Sequence, residues 1–289
     1  MQELLVISGK GGTGKTTVVG SFAVLSGGSA VLADCDVDAS NLHLLLEPKI
    51  EEKYEFAASK TAFINASKCT HCGFCSELCR FEAIKDFKVN PLLCEGCGLC
   101  FHVCPKGAAE MHRETSGWWY VSQSRYGPMV HAKLEIGQEN SGKLVAAVRR
   151  TAKELAEKTK KNLIIIDGPP GIGCPVISSL TGADLALVIT EPTVSGIHDL
   201  KRVLDLCRHF NVQAAVCINK YDINLENSTA IRIYCADLLI PVLGEIPYDP
   251  EVSSCLCEGK PLLERSDGKA AKQIEILWNR VKKFLNIAD

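Results

Sequence analysis

A chain of 289 residues can bury a sizeable core, either as one large domain or as two. With 46% hydrophobic and 23% charged residues, its composition is ordinary for a soluble globular protein. A net charge of −2 argues against a nucleic-acid or anionic-membrane surface as its main business, so neither partner is expected.

The N-terminus, Met1-Gln2-Glu3, runs at once into apolar Leu4-Leu5-Val6-Ile7, so a first strand and no secretory leader are expected. No apolar run approaches the roughly 18–20 residues that span a bilayer. The strand leads into Gly9-Lys10-Gly11-Gly12-Thr13-Gly14-Lys15-Thr16-Thr17, and a helix is predicted from Thr17 to Leu25. The spacing G-x4-G-K-T, met by Gly9, Gly14, Lys15 and Thr16, is that of a phosphate cradle between strand and helix. Glycines let backbone N–H groups approach phosphate oxygens, and the helix start adds a positive end. Lys15 is expected to reach the β/γ-phosphates and the Thr16 hydroxyl to ligate Mg²⁺.

A second strand, Ala30–Asp34, ends in Asp34-Cys35-Asp36-Val37-Asp38-Ala39-Ser40-Asn41. Carboxylates at the carboxyl end of a strand lie where open α/β sheets bind ligands. From Thr61 to about His112 the helix and strand rhythm gives way to a cysteine-rich block. Strands at Trp118–Val121 and Val130–Ile136 then flank a Gly/Pro turn, and an amphipathic helix is predicted over Ser141–Lys160. Leu163–Ile166 reads as a central parallel strand that delivers Asp167 to the loop Gly168-Pro169-Pro170-Gly171. That carboxylate is placed to hold the water shell of Mg²⁺. Further strands are expected at Leu185–Ile189, Ala214–Ile218 and Val242–Ile246, and a last helix at Lys269–Phe284, its apolar stripe packed on the sheet.

This alternation predicts an α/β fold, a mostly parallel, doubly wound sheet with helices on both faces. The cysteine block interrupts it, so the expected domains are 1–60 with 113–289, and an insert over 61–112.

The 15 cysteines are the anomaly. In a chain expected to be cytoplasmic, clustered cysteines are metal ligands before they are disulfides. Cys69-x2-Cys72-x2-Cys75-x3-Cys79 is followed by Cys94-x2-Cys97-x2-Cys100-x3-Cys104-Pro105. A pair of four-thiolate zinc sites is the competing reading. His71 and His102, beside these cysteines, are expected to be exposed and non-coordinating. Cys35, Cys207, Cys217 and Cys235 are expected to pack in the core, as is Cys174. Cys255 and Cys257 are candidates for a transient metal or thiol role.

Lys10 makes the glycine loop more specific. With this second lysine it resembles the deviant Walker A loop of the MinD, ParA, Mrp and nitrogenase-iron-protein ATPases. The resemblance implies a P-loop NTPase sheet and a lysine, Lys10, that crosses a dimer interface to the partner's nucleotide. An ATP-dependent homodimer, or a dimer with a paralogue, follows. By the same likeness Asp167 is the Walker B carboxylate on Mg²⁺ and Gly168–Gly171 the switch II loop. Asp34-x-Asp36 resembles switch I, with Asp36 orienting the attacking water, Asp34 near the metal and Asp38 a lesser contributor. Asn219-Lys220 resembles the adenine-recognising position, and Pro247-Tyr248-Asp249 the second base-contacting loop.

The cysteine runs resemble bacterial two-cluster ferredoxins, where the fourth cysteine of each run ligates the other cluster. That likeness implies a small α+β ferredoxin-like insert with two 4Fe–4S clusters, one on Cys69, Cys72, Cys75 and Cys104, the other on Cys79, Cys94, Cys97 and Cys100. Arg80 departs from the pattern where the first run would have proline.

Together the resemblances imply an ATPase, with Lys10, Lys15, Asp36 and Asp167 as its catalytic set. ATP turnover is expected to be coupled to electron transfer or to delivery of clusters, with a redox partner or a client metalloprotein. The alternatives are a cluster-assembly factor, and a MinD/ParA-type spatial switch whose ferredoxin block is a docking module.

Overall fold

The computed structural model describes residues 1–135 and 141–287; the predicted strand end at Ile136 lies outside them. The chain divides into two units, one of Met1–Lys53, Trp119–Lys133 and Ser141–Asp289, the other of Tyr54–Trp118 and Leu134–Asn140.

In the first unit the buried apolar runs become strands and the amphipathic stretches become helices. It opens with β1 (Gln2–Ser8), α1 (Lys15–Leu25), β2 (Ala30–Asp34), α2 (Leu42–Leu46) and β3 (Lys49–Phe56), the last leading into the second unit. That second unit carries β4 (Ser59–Ile64), α3 (Phe74–Glu77), β5 (Ile84–Lys85), β6 (Lys88–Val89), α4 (Leu99–Val103) and β7 (Ala109–Glu114). The chain returns through β8 (Gly117–Ser124) and β9 (Gly127–Leu134), then α5 (Ser141–Lys158) and β10 (Leu163–Pro170). α6 (Cys174–Leu180), β11 (Leu185–Thr190), α7 (Val194–His209), β12 (Gln213–Asn219), α8 (Leu225–Asp237) and β13 (Val242–Ile246) follow. Three helices close the chain, α9 (Pro250–Cys257), α10 (Leu262–Arg265) and α11 (Lys269–Phe284).

Among the described residues one sheet has the strand order β13-β12-β11-β1-β10-β2-β9-β8-β3. Every pair from β13 to β9 in that order is parallel. Side chains alternate between the faces of a strand. Leu4, Val6, Leu32, Ile165 and Leu187 join one core with Phe22 of α1 and Ile274, Leu277 and Trp278 of α11. The alternate residues Leu5, Ile7, Val31, Ile164 and Val188 are equally buried, on strands that pack against α5, α6 and α7. Both faces are therefore covered, as a buried parallel sheet requires. The stripe of α11 is spent in this core. No helix among the described residues is long and apolar enough to cross a membrane.

Two elements depart from the sequence reading. β3 has exposed alternating charges and an apolar content too low to announce a strand; it takes an edge position. β10 does not end at Asp167: Ser8 pairs with Pro170, and Gly171 N–H donates to the Ser8 carbonyl at 2.9 Å. The Gly-Pro-Pro segment is thus extended backbone held along β1 rather than an open loop.

The second unit is built on the antiparallel pair β4–β7, which brings Thr61 opposite His112 and brackets the cysteine block. β5 and β6 form a short hairpin, and α3 packs against α4.

A buried histidine marks the β8–β9 end of the large sheet. His131 stacks on Tyr120 and His43, at centroid separations of 5.0 and 5.9 Å, and bonds Ser122 Oγ at 3.0 Å. Burial, helped by the nearby His43 charge, pushes its pKa down from 6.5 to about 4. The neutral ring is favoured in the fold, so its contribution is whole above pH 6.5 and is lost as the pH falls toward 4. By pH 5.5 about 1.4 kcal/mol should be gone. Urea unfolding of wild type and His131→Gln at pH 7.5 and 5.5 is expected to show a pH penalty smaller in the variant by that amount. Equal penalties would contradict it.

Candidate functional site

β1 delivers the chain from the middle of the sheet into the glycine loop, and α1 begins at Lys15. Gly14, at the helix N-cap, has φ +97°, a conformation that disfavours any side chain. A Cβ there would stand 2.4 Å from Asn219 Nδ2, the same amide that donates to the Thr13 carbonyl at 2.7 Å. The end of β12 thus braces the loop against the sheet. The first-turn N–H groups of α1 point into the loop, an arrangement suited to an anion.

Behind the loop the charges are concentrated. Lys15 is 6% exposed and interacts with the carboxylates of Asp36 and Asp167. Thr16 Oγ1 donates to Asp167 Oδ2 at 2.8 Å, and Asp167 Oδ1 is buried with no hydrogen-bond partner among the described residues. Burial pushes Asp167 up to about 7, against the pull of Lys15 and Thr16. Burial, then the Asp167 charge, hold Asp34 well above the usual carboxylate range, and burial raises Asp36 as well. Three crowded carboxylates, two of them facing the same lysine, leave a deficit of positive charge that a divalent cation fits. No three His, Cys, Asp or Glu side chains among the described residues are grouped to hold a metal ion by themselves. A cation beside Thr16 and Asp167 would therefore complete its shell with water and phosphate oxygens, as Mg²⁺ does.

Asp34, which lies beside Asp167, also has a local structural part. One carboxylate oxygen accepts from Asp36 N–H at 3.1 Å, the other from Ser40 Oγ at 2.7 Å and Leu42 N–H at 3.2 Å. It fastens the acidic loop to α2. Asp36, engaged by the Lys15 charge and the Ala39 N–H, lines a cleft of about 460 Å³. Its other walls are Gly11, Gly12, Gly14, Lys15, Thr16 and Thr17, Pro170, Leu44 and Leu45 of α2, and Leu256 of α9.

The remaining sequence candidates are placed as follows. Lys10 Nζ forms an ion pair with Glu191 at 2.5 Å, and Lys220 lies 3.4 Å from the other oxygen of Glu191. Pro247 lies just past β13, and Asp249 caps α9, accepting from Glu251 N–H at 3.0 Å and Ala270 N–H at 3.3 Å. Asp249 is thus engaged in joining α9 to α11. Cys255 is buried and Cys257 exposed, because residues two apart on a helix face different ways. They are not brought together. Cys174, expected in the core, is exposed at the start of α6, whereas Cys35, Cys207, Cys217 and Cys235 are buried.

Within the second unit the cysteines line two hollows. One is formed by Cys69, Cys72, Cys75 and Cys104. The other is formed by Cys79, Cys94, Cys97 and Cys100, with Cys75 also at its wall. All eight thiols are free. Cys104 Sγ accepts from Ala108 N–H at 3.2 Å and Cys94 Sγ from Ala62 N–H at 3.5 Å. Backbone donors, Ala109 foremost, hold the Cys104 thiol below its ordinary pKa. Gly96, at φ +62°, passes so close to β4 that a Cβ would meet the Lys60 carbonyl oxygen at 2.2 Å. Ala62, Leu78, Phe81, Ile84, Leu99 and Met111 supply an apolar wall.

Sequence reasoning passed over Glu191, Thr193 and Ser195, which surround Lys10. The available signal was their place in Glu-Pro-Thr-Val-Ser, at the carboxyl end of a parallel strand.

Residues 4–262 match the family model for the CobQ/CobB/MinD/ParA nucleotide binding domain. The chain is similar to the uncharacterized protein MJ0578 of Methanocaldococcus jannaschii, 37% identical over 99% of this chain and 98% of that one. It is 28% identical to the cytosolic Fe-S cluster assembly factor NBP35 of Eremothecium gossypii, over 53% of each chain. In fold it is similar to the septum site-determining protein MinD complexed with Mg-ADP from Pyrococcus horikoshii, at TM-score 0.62 and 18% identity, covering 99% of this chain and 98% of the other.

Proposed function

Because the chain belongs to the CobQ/CobB/MinD/ParA nucleotide-binding family, we propose that it binds and hydrolyses Mg-ATP and couples this to two 4Fe–4S clusters held in its cysteine unit. The observation that carries the reading is the lining of two hollows by eight free thiols, which are not grouped closely enough to share single metal ions. One hollow holds Cys69, Cys72 and Cys75 with Cys104 of the second run, and the other holds Cys94, Cys97 and Cys100 with Cys79 of the first run, and Cys75 of that run at its wall. The donor set fits the group: thiolates are the ligands of such clusters, and N–H···S bonds with an apolar wall are what tune them. The clusters supply one-electron transfer.

On the nucleotide side, Lys15 and the loop N–H groups hold the β/γ-phosphates, and Thr16 with Asp167 binds Mg²⁺. The metal neutralises phosphate charge. Asp36 positions the attacking water, while Asp34 holds the loop that carries Asp36. Asn219 and Lys220 contact the base, as the family likeness implies, and Lys10 reaches the nucleotide of a second copy or of a paralogue in an ATP-dependent dimer. A coupling of about 1–3 kcal/mol between sites moves a one-electron potential by roughly 40–130 mV. That is enough to gate electron flow to a redox partner.

Delivery of clusters to a client metalloprotein is the second reading, favoured by the similarity to the NBP35 assembly factor. One experiment separates the two. Anaerobically purified protein, with iron and sulfide quantified, is titrated redox-potentiometrically with and without a non-hydrolysable ATP analogue. Gated transfer expects roughly eight iron per chain and a potential that moves with nucleotide. Delivery expects a cluster that leaves for an apo-acceptor. Zinc in place of iron would sink both.

A further inference from the structure

Lys10 is not poised over the glycine cleft. Its ammonium has three donors, and three acceptors meet it: Glu191 at 2.5 Å, Ser195 Oγ at 3.2 Å and Thr193 Oγ1 at 3.3 Å. Glu191 and Thr193 belong to the turn between β11 and α7 and Ser195 to the first turn of α7, and Thr193 is itself the N-cap of that helix, accepting from Gly196 N–H at 3.0 Å. A lysine so saturated has no donor left for a phosphate.

Glu191 is built to let it go. Its side chain is 13% exposed, and a carboxylate that deep would be penalised if its only cation left. It has two, because Lys220 holds the second oxygen at 3.4 Å. Burial works to raise the Glu191 pKa, but the bonds and charges of Lys10 and Lys220 outweigh it and keep the group ionised. When Lys10 departs, Lys220 remains as counter-ion, so release costs less than the break-up of an isolated pair. Lys10 itself is 29% exposed and can swing outward.

We propose that Glu191, with Thr193 and Ser195, forms a latch that sequesters Lys10 within its own chain and so opposes nucleotide-driven self-association until Lys10 is released. Glu191 is a positioning residue that acts through Lys10. The inference rests on the reading of Lys10 as the residue that reaches a second copy's nucleotide.

The test is the mass of the full-length holoprotein by light scattering over a concentration series, with Mg and a non-hydrolysable ATP analogue. It is run on wild type, Glu191→Gln, Lys10→Ala and the double variant. Glu191→Gln is expected to self-associate at about five- to tenfold lower concentration than wild type, since a partly exposed pair is lost in each of two chains. In the Lys10→Ala background the same substitution should change nothing. Unchanged or weakened association in Glu191→Gln, beside a wild type that does associate, overturns the latch alone. An equal gain in the Lys10→Ala background does the same, by tracing the effect to Lys220 or to the turn. A wild type that stays monomeric with nucleotide overturns the intersubunit reading and the latch with it.

Discussion

Lys15→Ala is expected to weaken Mg-ATP binding by at least about 100-fold and to lower hydrolysis by on the order of 10³. The effect is large because two losses coincide. The variant gives up the cation that meets the β/γ-phosphates. It also leaves Asp36 and Asp167 facing one another with no positive side chain between them, since Lys15 is the charge that opposes the rise of both pKa values. Crowded carboxylates repel a triphosphate that arrives without its metal. Arginine should not rescue the variant, because a 6% exposed site shaped for a compact ammonium does not admit a planar guanidinium. Equilibrium titration with a fluorescent ATP analogue and phosphate release measure the two quantities. Binding and turnover at wild-type levels would remove the glycine loop from the site.

What the sequence displays of this arrangement follows from how local each feature is. The phosphate loop is contiguous, its flanking strand is a buried apolar run, and its helix starts one residue after Gly14, so motif and geometry coincide. β3 was illegible because an exposed edge strand needs no apolar face; its Lys and Glu residues look like a solvated linker. Asp167 stood out as a strand-end carboxylate, but the three residues after it look like a loop until β1 is seen to pair with them. Asp34 shows a different limit. Nothing local announces that its carboxylate ties down a loop, because its partners Ser40 and Leu42 stand six and eight residues on. Glu191 lies 181 positions from Lys10, and nothing in either neighbourhood announces the pair.

Iron content should fall to about half when Cys104 is replaced by alanine, and to about half again for Cys79→Ala taken singly. The informative variants are doubles. α3 carries Cys75, and Cys79 lies just beyond its end; α4 carries Cys100, and Cys104 caps it. Four residues of helix advance the chain by about 6 Å, so the fourth cysteine of each run stands displaced from the other three, toward the other run's hollow in the crossed assignment. If Cys104 serves the hollow of Cys69, Cys72 and Cys75, then Cys104→Ala with Cys72→Ala damages one cluster twice and keeps about half the iron. Cys104→Ala with Cys97→Ala damages both and keeps almost none. Ligation confined within each run predicts the reverse order. Iron and acid-labile sulfide per chain in anaerobic preparations decide between them, with folding of each variant checked by the far-UV signal of the large sheet unit. Iron retained in the second double and lost from the first would undo the crossed assignment.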